Sequence, residues 1–329
     1  MNQRRTLFAS LAFLILTFNP GSGFASQGRE LPQSDAAPPA RREVAITIDD
    51  LPMAGGVYDL AGLRTATKKL LAPLVKHRVP AVGFVNEGNL YVTGEVDARI
   101  DVLRMWLDAG MTLGNHTFSH ASFSRTPLQQ FMDEVIHGEV VTRRLMKEKG
   151  LSKLYFRFPF NNTGATKETK EAMQAFLKSR GYEVAPFTVE HEDYVFDPVY
   201  RKAKQRKDEA LMQRIRAAYL AHLDTKFDYY ERRSQMLLGR EVKQIFLIHV
   251  NEINADTMDE TIAKLKRRGY SFITLEQALQ DKAYQIKDEY VGDTGISWLH
   301  RWMIALGKEL NYRDDPDPPK FINDLWRAQ

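Results

Sequence analysis

Five small groups of polar residues in this chain carry side chains able to bind a metal ion or move a proton: Asp49 with Asp50, His116 with His120, Arg157, Glu190 with Asp193, and His249. Each has an ordinary reading when taken alone. Paired aspartates after an apolar run serve as a turn or helix cap. Arg157 and Asp193 make a structural ion pair, and His249 at the end of IFLIH is a core histidine with its hydrogen bonds met. The two histidines of HTFSH are four residues apart, with Thr117, Phe118 and Ser119 between them. If the chain enters a helix near His116, both imidazoles lie on one face and reach one ion. Zinc or a similar divalent cation accepts two histidines and a carboxylate while keeping positions open for water and substrate. The intervening residues lack the glutamate of the HExxH metalloproteases, which excludes that chemistry. An iron oxygenase uses the same ligand types, but on a jelly-roll whose strand pattern is absent here. Hydrolysis fits the remaining residues. A metal lowers the pKa of its water from about 15.7 to about 7. A further carboxylate then takes the water proton, and a histidine on the far side protonates a leaving amine.

Such a site must be assembled by the elements that carry it. Short apolar runs recur at 44–48, 81–85, 111–115, 154–158, 182–189, 245–249 and 271–275. They lack polar alternation, as strands buried on both faces do. Between them lie segments of helical spacing, such as Val96, Ile100, Leu103 and Leu107, or Leu128, Met132, Val135 and Val140. Four helices end alike before a strand, in LDAGMTL, KEKGLSK, KSRGYEV and KRRGYSF, where glycine closes the helix and basic residues suit its negative end. The alternation predicts an α/β fold, a (β/α) barrel of about seven parallel strands. All five polar groups fall at carboxyl ends of strands, which a barrel gathers at one mouth.

Two segments depart from the rhythm. Residues 200–240 read as a long charged helical insertion with Met212, Ile215, Tyr219, Leu223 and Phe227 on one side. Residues 283–329 form a C-terminal extension with three of the four tryptophans; Trp298, Trp302 and Leu306 are at helical spacing, so the aromatic face is expected to pack on the barrel rather than serve as a lid.

The composition is that of a globular protein, 43% hydrophobic and 27% charged, with no cysteine and therefore no disulfide framework or thiol catalyst. Residues 1–25 read as a signal peptide: Arg4 and Arg5, an apolar run from Leu7 to Phe18, then small residues up to Ala25. That run is too short to span a bilayer, and the paired arginines are compatible with twin-arginine export. Removing the two arginines lowers the formal charge from +4 to +2, which gives no electrostatic case for nucleic acid. Residues 26–42 contain three prolines and no period, as a flexible linker does. A periplasmic or secreted protein is expected, without a membrane span in the mature chain.

In order, TIDD (47–50), HTFSH (116–120), RFPF (157–160), EHEDY (190–194) and LIH (247–249) resemble the five motifs of the NodB-type polysaccharide deacetylases, carbohydrate esterase family 4. The resemblance covers roughly residues 43–280, within an expected catalytic domain at 43–282. It implies a distorted (β/α) barrel and metal-dependent removal of acetyl groups from N-acetylated, sometimes O-acetylated, sugars. By position, Asp50, His116 and His120 would hold the metal, commonly Zn2+, with Co2+, Mn2+ or Ni2+ as substitutes. Asp49 would be the general base, paired with Arg157. His249 would be the general acid, oriented by Asp193. The Phe160 N–H would help stabilise the oxyanion, and Leu247 would line the acetyl pocket. The chain departs from the family at Leu51 (usually glycine), Tyr194 (usually tryptophan) and Glu190 (usually aspartate), which is expected to alter the pocket wall and hence substrate choice. His191 is expected on a loop, and no chemistry is assigned to His77, His137, His222 or His300.

The expected partner is an acetylated glycan or amino sugar. Two other readings stay open on the sequence: deacylation of a lipid-linked sugar or small amide on the same fold, and carbohydrate binding by a barrel whose catalysis is lost.

Overall fold

Seven strands form the frame, and each coincides with an apolar run: β1 (Arg42–Leu51), β2 (Ala81–Val85), β3 (Thr112–Asn115), β4 (Leu154–Phe156), β5 (Tyr182–Val184), β6 (Gln244–His249) and β7 (Tyr270–Phe272). The structure, a computed structural model, describes residues 42–56, 58–312 and 314–329. The expected signal peptide and all of the expected linker except Arg42 lie outside the described residues. Every pairing is parallel, in the order β5-β4-β3-β2-β1-β6, with β7 beside the start of β1.

The ring is interrupted between β5 and β6. The run at 182–189 does not form one strand, because Pro186 has no N–H for a ladder. Among the described residues the two sides are joined by an isolated bridge between Val189 and Phe246, helped by the Thr188 N–H donating to Ile245 O at 2.9 Å and the Ile245 N–H donating to Thr188 Oγ1 at 2.8 Å. This is a distorted barrel.

Helices α1 (Leu60–His77), α2 (Val96–Asp108), α3 (Leu128–His137), α4 (Val140–Glu148) and α5 (Lys167–Ser179) cover the first half. The second half carries α6 (Asp193–Gln205), α7 (Glu209–Leu238), α8 (Glu252–Arg267) and α9 (Leu275–Leu279), and the extension carries α10 (Trp298–Ala305) and α11 (Lys320–Arg327). The expected glycine stops are present, with Gly110, Gly150, Gly181 and Gly269 all at positive φ. The spacing of Leu128, Met132, Val135 and Val140 does not mark one helix: the chain breaks at Gly138, and Val140 starts α4 with its side chain exposed.

Residues 200–240 are likewise two helices. The break falls at Arg206–Asp208, where Lys207 is left-handed and the Asp208 carboxylate caps α7. Ile215, Tyr219, Leu223 and Phe227 are buried on one side of α7, whereas Met212 near its start is only partly covered. In the extension Trp298 and Trp302 are buried, but Leu306 lies beyond the end of α10 and is exposed. The Trp298 N–H donates to Phe187 O at 2.9 Å and Ser297 Oγ to Thr188 O at 2.7 Å. The extension thus laces onto the segment that bridges the barrel gap. Among the described residues no helix is long and apolar enough to cross a membrane.

Candidate active site

Alternation along β1 would send Asp49 and Asp50 to opposite faces of the sheet. The chain avoids this by a bulge. Register with β2 shifts between Ile48 and Leu51, and Asp50 takes φ 68°. A bulge re-aims successive side chains, so both carboxylates reach one cleft. Leu51 then turns inward and is fully buried, packed where a Cβ on Gly83 would lie 2.6 Å from it. It does not line the cleft, so this departure from the family pattern fills core space and leaves the pocket wall unaltered, contrary to expectation.

His116 and His120 do converge, but not on a helix. Residues 116–120 form a loop with Thr117 at φ 67° and His120 at φ 59°, and the two rings lie 5.0 Å apart. The loop is fixed by its neighbours. Asn115 Oδ1 accepts the Thr117 N–H at 2.7 Å, Glu134 O accepts the Phe118 N–H at 3.0 Å, and Glu134 Oε2 accepts the Ser119 N–H at 2.7 Å. Gly138 makes the approach possible, since a Cβ there would stand 2.5 Å from the Thr117 carbonyl carbon.

Asp50 Oδ1 lies 3.5 Å from His116 Nε2 and 3.3 Å from His120 Nε2, and the three ligand atoms fall within 4.8 Å of one another. The donor chemistry fits a divalent cation. His116 Nδ1 is 2.7 Å from the Arg157 carbonyl oxygen, which can only accept, so the proton sits on Nδ1 and the Nε2 lone pair faces Asp50. Asp50 Oδ1 is buried without a hydrogen-bond partner. Burial and the neighbouring His120 hold His116 well below the usual imidazole range, and burial also lowers His120, so both rings are neutral and ready to donate a lone pair.

Asp49 stands behind this cluster, 2% exposed, with Oδ1 unpartnered. Its Oδ2 is 3.7 Å from Arg157 Nη1 and 3.8 Å from His116 Nε2. Burial pushes its pKa up to about 6 against the pull of Arg157. Arg157, fully buried, donates to Thr47 Oγ1 at 2.9 Å and to Pro186 O at 3.2 Å. Its carboxylate partner is therefore Asp49, and the alternative ion pair with Asp193 does not form.

Asp193 instead belongs to His249. Its Oδ1 lies 2.7 Å from His249 Nδ1, while Oδ2 accepts the His249 backbone N–H at 2.7 Å and the side-chain amides of Asn254 at 2.6 Å and Asn251 at 3.1 Å. Burial opposes charge on His249, but Asp193 outweighs it, and with Asp50 and Asp49 lifts the imidazole to about 10. Burial likewise opposes the Asp193 carboxylate, and His249 with the donated hydrogen bonds holds it below the usual range. The residues after the fifth motif, Asn251 and Asn254, were a readable signal that motif reading passed over.

The cleft enclosing these groups has a volume of about 530 Å³. Leu247, Phe160 and Tyr194 line it, as does Glu190, whose carboxyl is pushed up to about 8 by burial and by Glu192. Gly295 of the extension also forms part of the wall, a contribution that no motif announced. His191 is buried between Tyr219 and Phe246, with centroids 4.5 and 5.0 Å away, and does not line the cleft. It lies on the loop before α6, as expected, but is buried there, and burial lowers it to about 3. His222 supports the fourth motif from outside, 2.7 Å from Glu192 Oε2, beside Lys226 at 2.6 Å from Glu192 Oε1. His77, His137 and His300 lie away from the cleft.

The polysaccharide deacetylase family profile matches residues 36–175, which carry the first three motifs. Among characterised proteins, the chain is 25% identical over 225 residues to the peptidoglycan-N-acetylmuramic acid deacetylase PdaA of Bacillus subtilis, covering 67% of this chain and 68% of that one. It is 24% identical over 253 residues to the chitin deacetylase of Colletotrichum lindemuthianum, covering 75% and 90%. For the peptidoglycan-N-acetylglucosamine deacetylase PgdA of Listeria monocytogenes the identity is 22%, over 81% of this chain but only 46% of the relative. Similar solved structures include Bacillus subtilis PdaA (21% identity, TM-score 0.45, 73% of this chain and 81% of that one) and BA3943, a pseudoenzyme of the same esterase family from Bacillus anthracis (18%, 0.49, 74% and 66%). Residues 36–175 thus match the polysaccharide deacetylase family, and the chain as a whole is similar to peptidoglycan and chitin deacetylases.

Proposed function

We propose that the protein is an exported, metal-dependent deacetylase that hydrolyses the N-acetyl groups of a glycan, with O-acetyl groups as the variant substrate. The observation that carries this reading is the convergence of Asp50, His116 and His120 on one side of Asp49 and His249 on the other, around one cleft. Asp50, His116 and His120 would hold a divalent cation, zinc by ligand type, which when bound supplies Lewis acidity toward the acyl oxygen and a more acidic water.

The chain's own groups then divide the proton transfers. Asp49, kept dry by burial, accepts the proton of the attacking water; Arg157 holds its carboxylate in place and offsets its charge. His249, held protonated by Asp193, donates to the departing nitrogen on the opposite side. The separation of their pKa values, about 6 against about 10, keeps one as base and the other as acid over the whole neutral range. The Phe160 N–H supplies a donor for the oxyanion. Leu247 bounds the acetyl methyl, and the exposed Tyr194 ring offers a face for a sugar. The likeness to peptidoglycan and chitin deacetylases and the residues 1–25 support an exported enzyme acting on such a polymer, in the periplasm or outside the cell.

Purified protein supplied with zinc should release acetate from at least one of chitooligosaccharides, peptidoglycan fragments, acetylated xylan or acetylated exopolysaccharide, and lose that activity in chelator. No release from any of them would sink the reading.

A further inference from the structure

The C-terminal extension reaches the cleft at the turn carrying Phe160, and we infer that Arg301 is a positioning residue for the Phe160 N–H. Its catalytic meaning rests on the deacetylase reading above. The turn is unusual. Phe160 and Asn161 have φ of 55° and 52°, a left-handed conformation that residues with a Cβ hold only when their surroundings impose it. The hydrogen bonds of the turn run from the Asn161 N–H to Phe158 O at 2.9 Å and from the Asn162 N–H to Pro159 O at 3.2 Å, and neither uses the Phe160 N–H.

What imposes the conformation comes from the extension. Arg301, fully buried, donates through Nη2 to Asn161 O at 2.7 Å and through Nη1 to Thr163 Oγ1 at 2.7 Å. The same guanidinium is held from behind by Asp288 Oδ2 at 2.8 Å, by Ile296 O accepting from Nε at 3.1 Å, and by the Trp298 ring at 4.0 Å. Gly295 lies directly on the turn, since a Cβ there would meet Phe160 O at 1.9 Å. A planar fork of donors fixes two acceptors at once, which a lysine cannot reproduce. Arg301 thereby sets the peptide planes on the carboxyl side of Phe160, and so the direction in which its N–H points.

Misplacing a group by about 1 Å costs up to ~10²-fold in rate, and losing an oxyanion donor costs ~10²–10³-fold. Arg301→Met in the full-length protein should therefore lower kcat on an acetylated chitooligosaccharide by ~10–100-fold. KM should stay within about threefold and zinc affinity should be unchanged, because Asp50 sits on β1 and His116 and His120 on the loop after β3. Hydrogen–deuterium exchange of residues 158–164 should speed up at the same time. Arg301→Lys, which keeps the charge beside Asp288, should show both effects in smaller measure and carries the test if the methionine variant does not fold. Arg233→Met is the control for mere loosening of the extension: Arg233 grips Asn311 O at 2.8 Å, away from the turn, and its loss should leave kcat within about twofold. Wild-type kcat and wild-type exchange in the Arg301 variants would overturn the inference, as would an equal loss of kcat in Arg233→Met. Should the wild type release no acetate from any glycan, the deacetylase reading fails by itself, while the exchange measurement still decides whether Arg301 holds the turn.

Discussion

Asp49 and His249 are direct neighbours across the parallel pairing of β1 and β6, at the last matched position of the two strands. Opposite residues in such a pair face the same side of the sheet. The proposed base and the proposed acid, 200 residues apart in sequence, are thus set by strand register rather than by loops. A one-residue slip of either strand would turn its residue to the opposite face from the other.

Replacing Asp49 by asparagine keeps the shape and removes the basicity. The variant should lose ~10²–10⁴-fold in kcat, the usual range for a positioned proton acceptor, while binding zinc like the wild type. Steady-state rates beside a zinc titration check this. Activity within a few-fold of wild type would remove Asp49 from the role of base.

The pH dependence follows from the same pair. Asp49 must be ionised, so kcat/KM should fall as pH drops through about 6, and a cation held by Asp50 moves that limb lower still. His249 must be protonated, so kcat/KM should fall as pH rises through about 10. Asp193→Asn removes the main charge that raises His249 and only a minor one that raises Asp49, so it should shift the high-pH limb downward and move the low-pH limb far less. A pH profile in which neither limb responds to Asp193→Asn would separate His249 from proton donation.

Gly138 is a packing requirement of the metal-ligand loop. A methyl group there meets backbone that cannot move aside cheaply. Gly138→Ala should cost about 1–3 kcal/mol of stability and weaken zinc binding together. Denaturant melts of the metal-free protein and zinc titration give the two numbers; unchanged values for both would show that the loop is not held at this point.

Leu51 should behave as a core residue and not as a specificity residue. Leu51→Ala removes a fully buried side chain and should destabilise by about 2–5 kcal/mol. The ratio of kcat/KM between two acetylated glycans should not change. A changed ratio without lost stability would return Leu51 to the pocket wall.

Much of this architecture was legible beforehand. Strands buried on both faces read as unbroken apolar runs, and glycine stops mark the ends of four helices, so all seven strands are visible in the sequence, β2, β3 and β6 nearly at their true bounds, while the fifth run overshoots β5 at Pro186. The gathering of Asp49, Asp50, His116, His120 and His249 also follows from where strands end. Backbone conformation was less visible. Helical spacing of His116 and His120 is mimicked by a loop with two left-handed residues, and the bulge at Asp50 that sends Leu51 into the core has no periodic signature. Pairing among distant charges could not be read from spacing, which left an Arg157–Asp193 pair open, and came only from the family resemblance, which implied the two pairs found: Arg157 with Asp49, and Asp193 with His249.

The most direct test is a zinc titration of metal-stripped protein with acetate release followed at each addition. One equivalent of zinc should bind, activity should rise in proportion and level off at that equivalent, and His116→Ala or His120→Ala should abolish both binding and release. Acetate released at full rate by the stripped protein, or zinc bound equally well by the two histidine variants, would contradict the account.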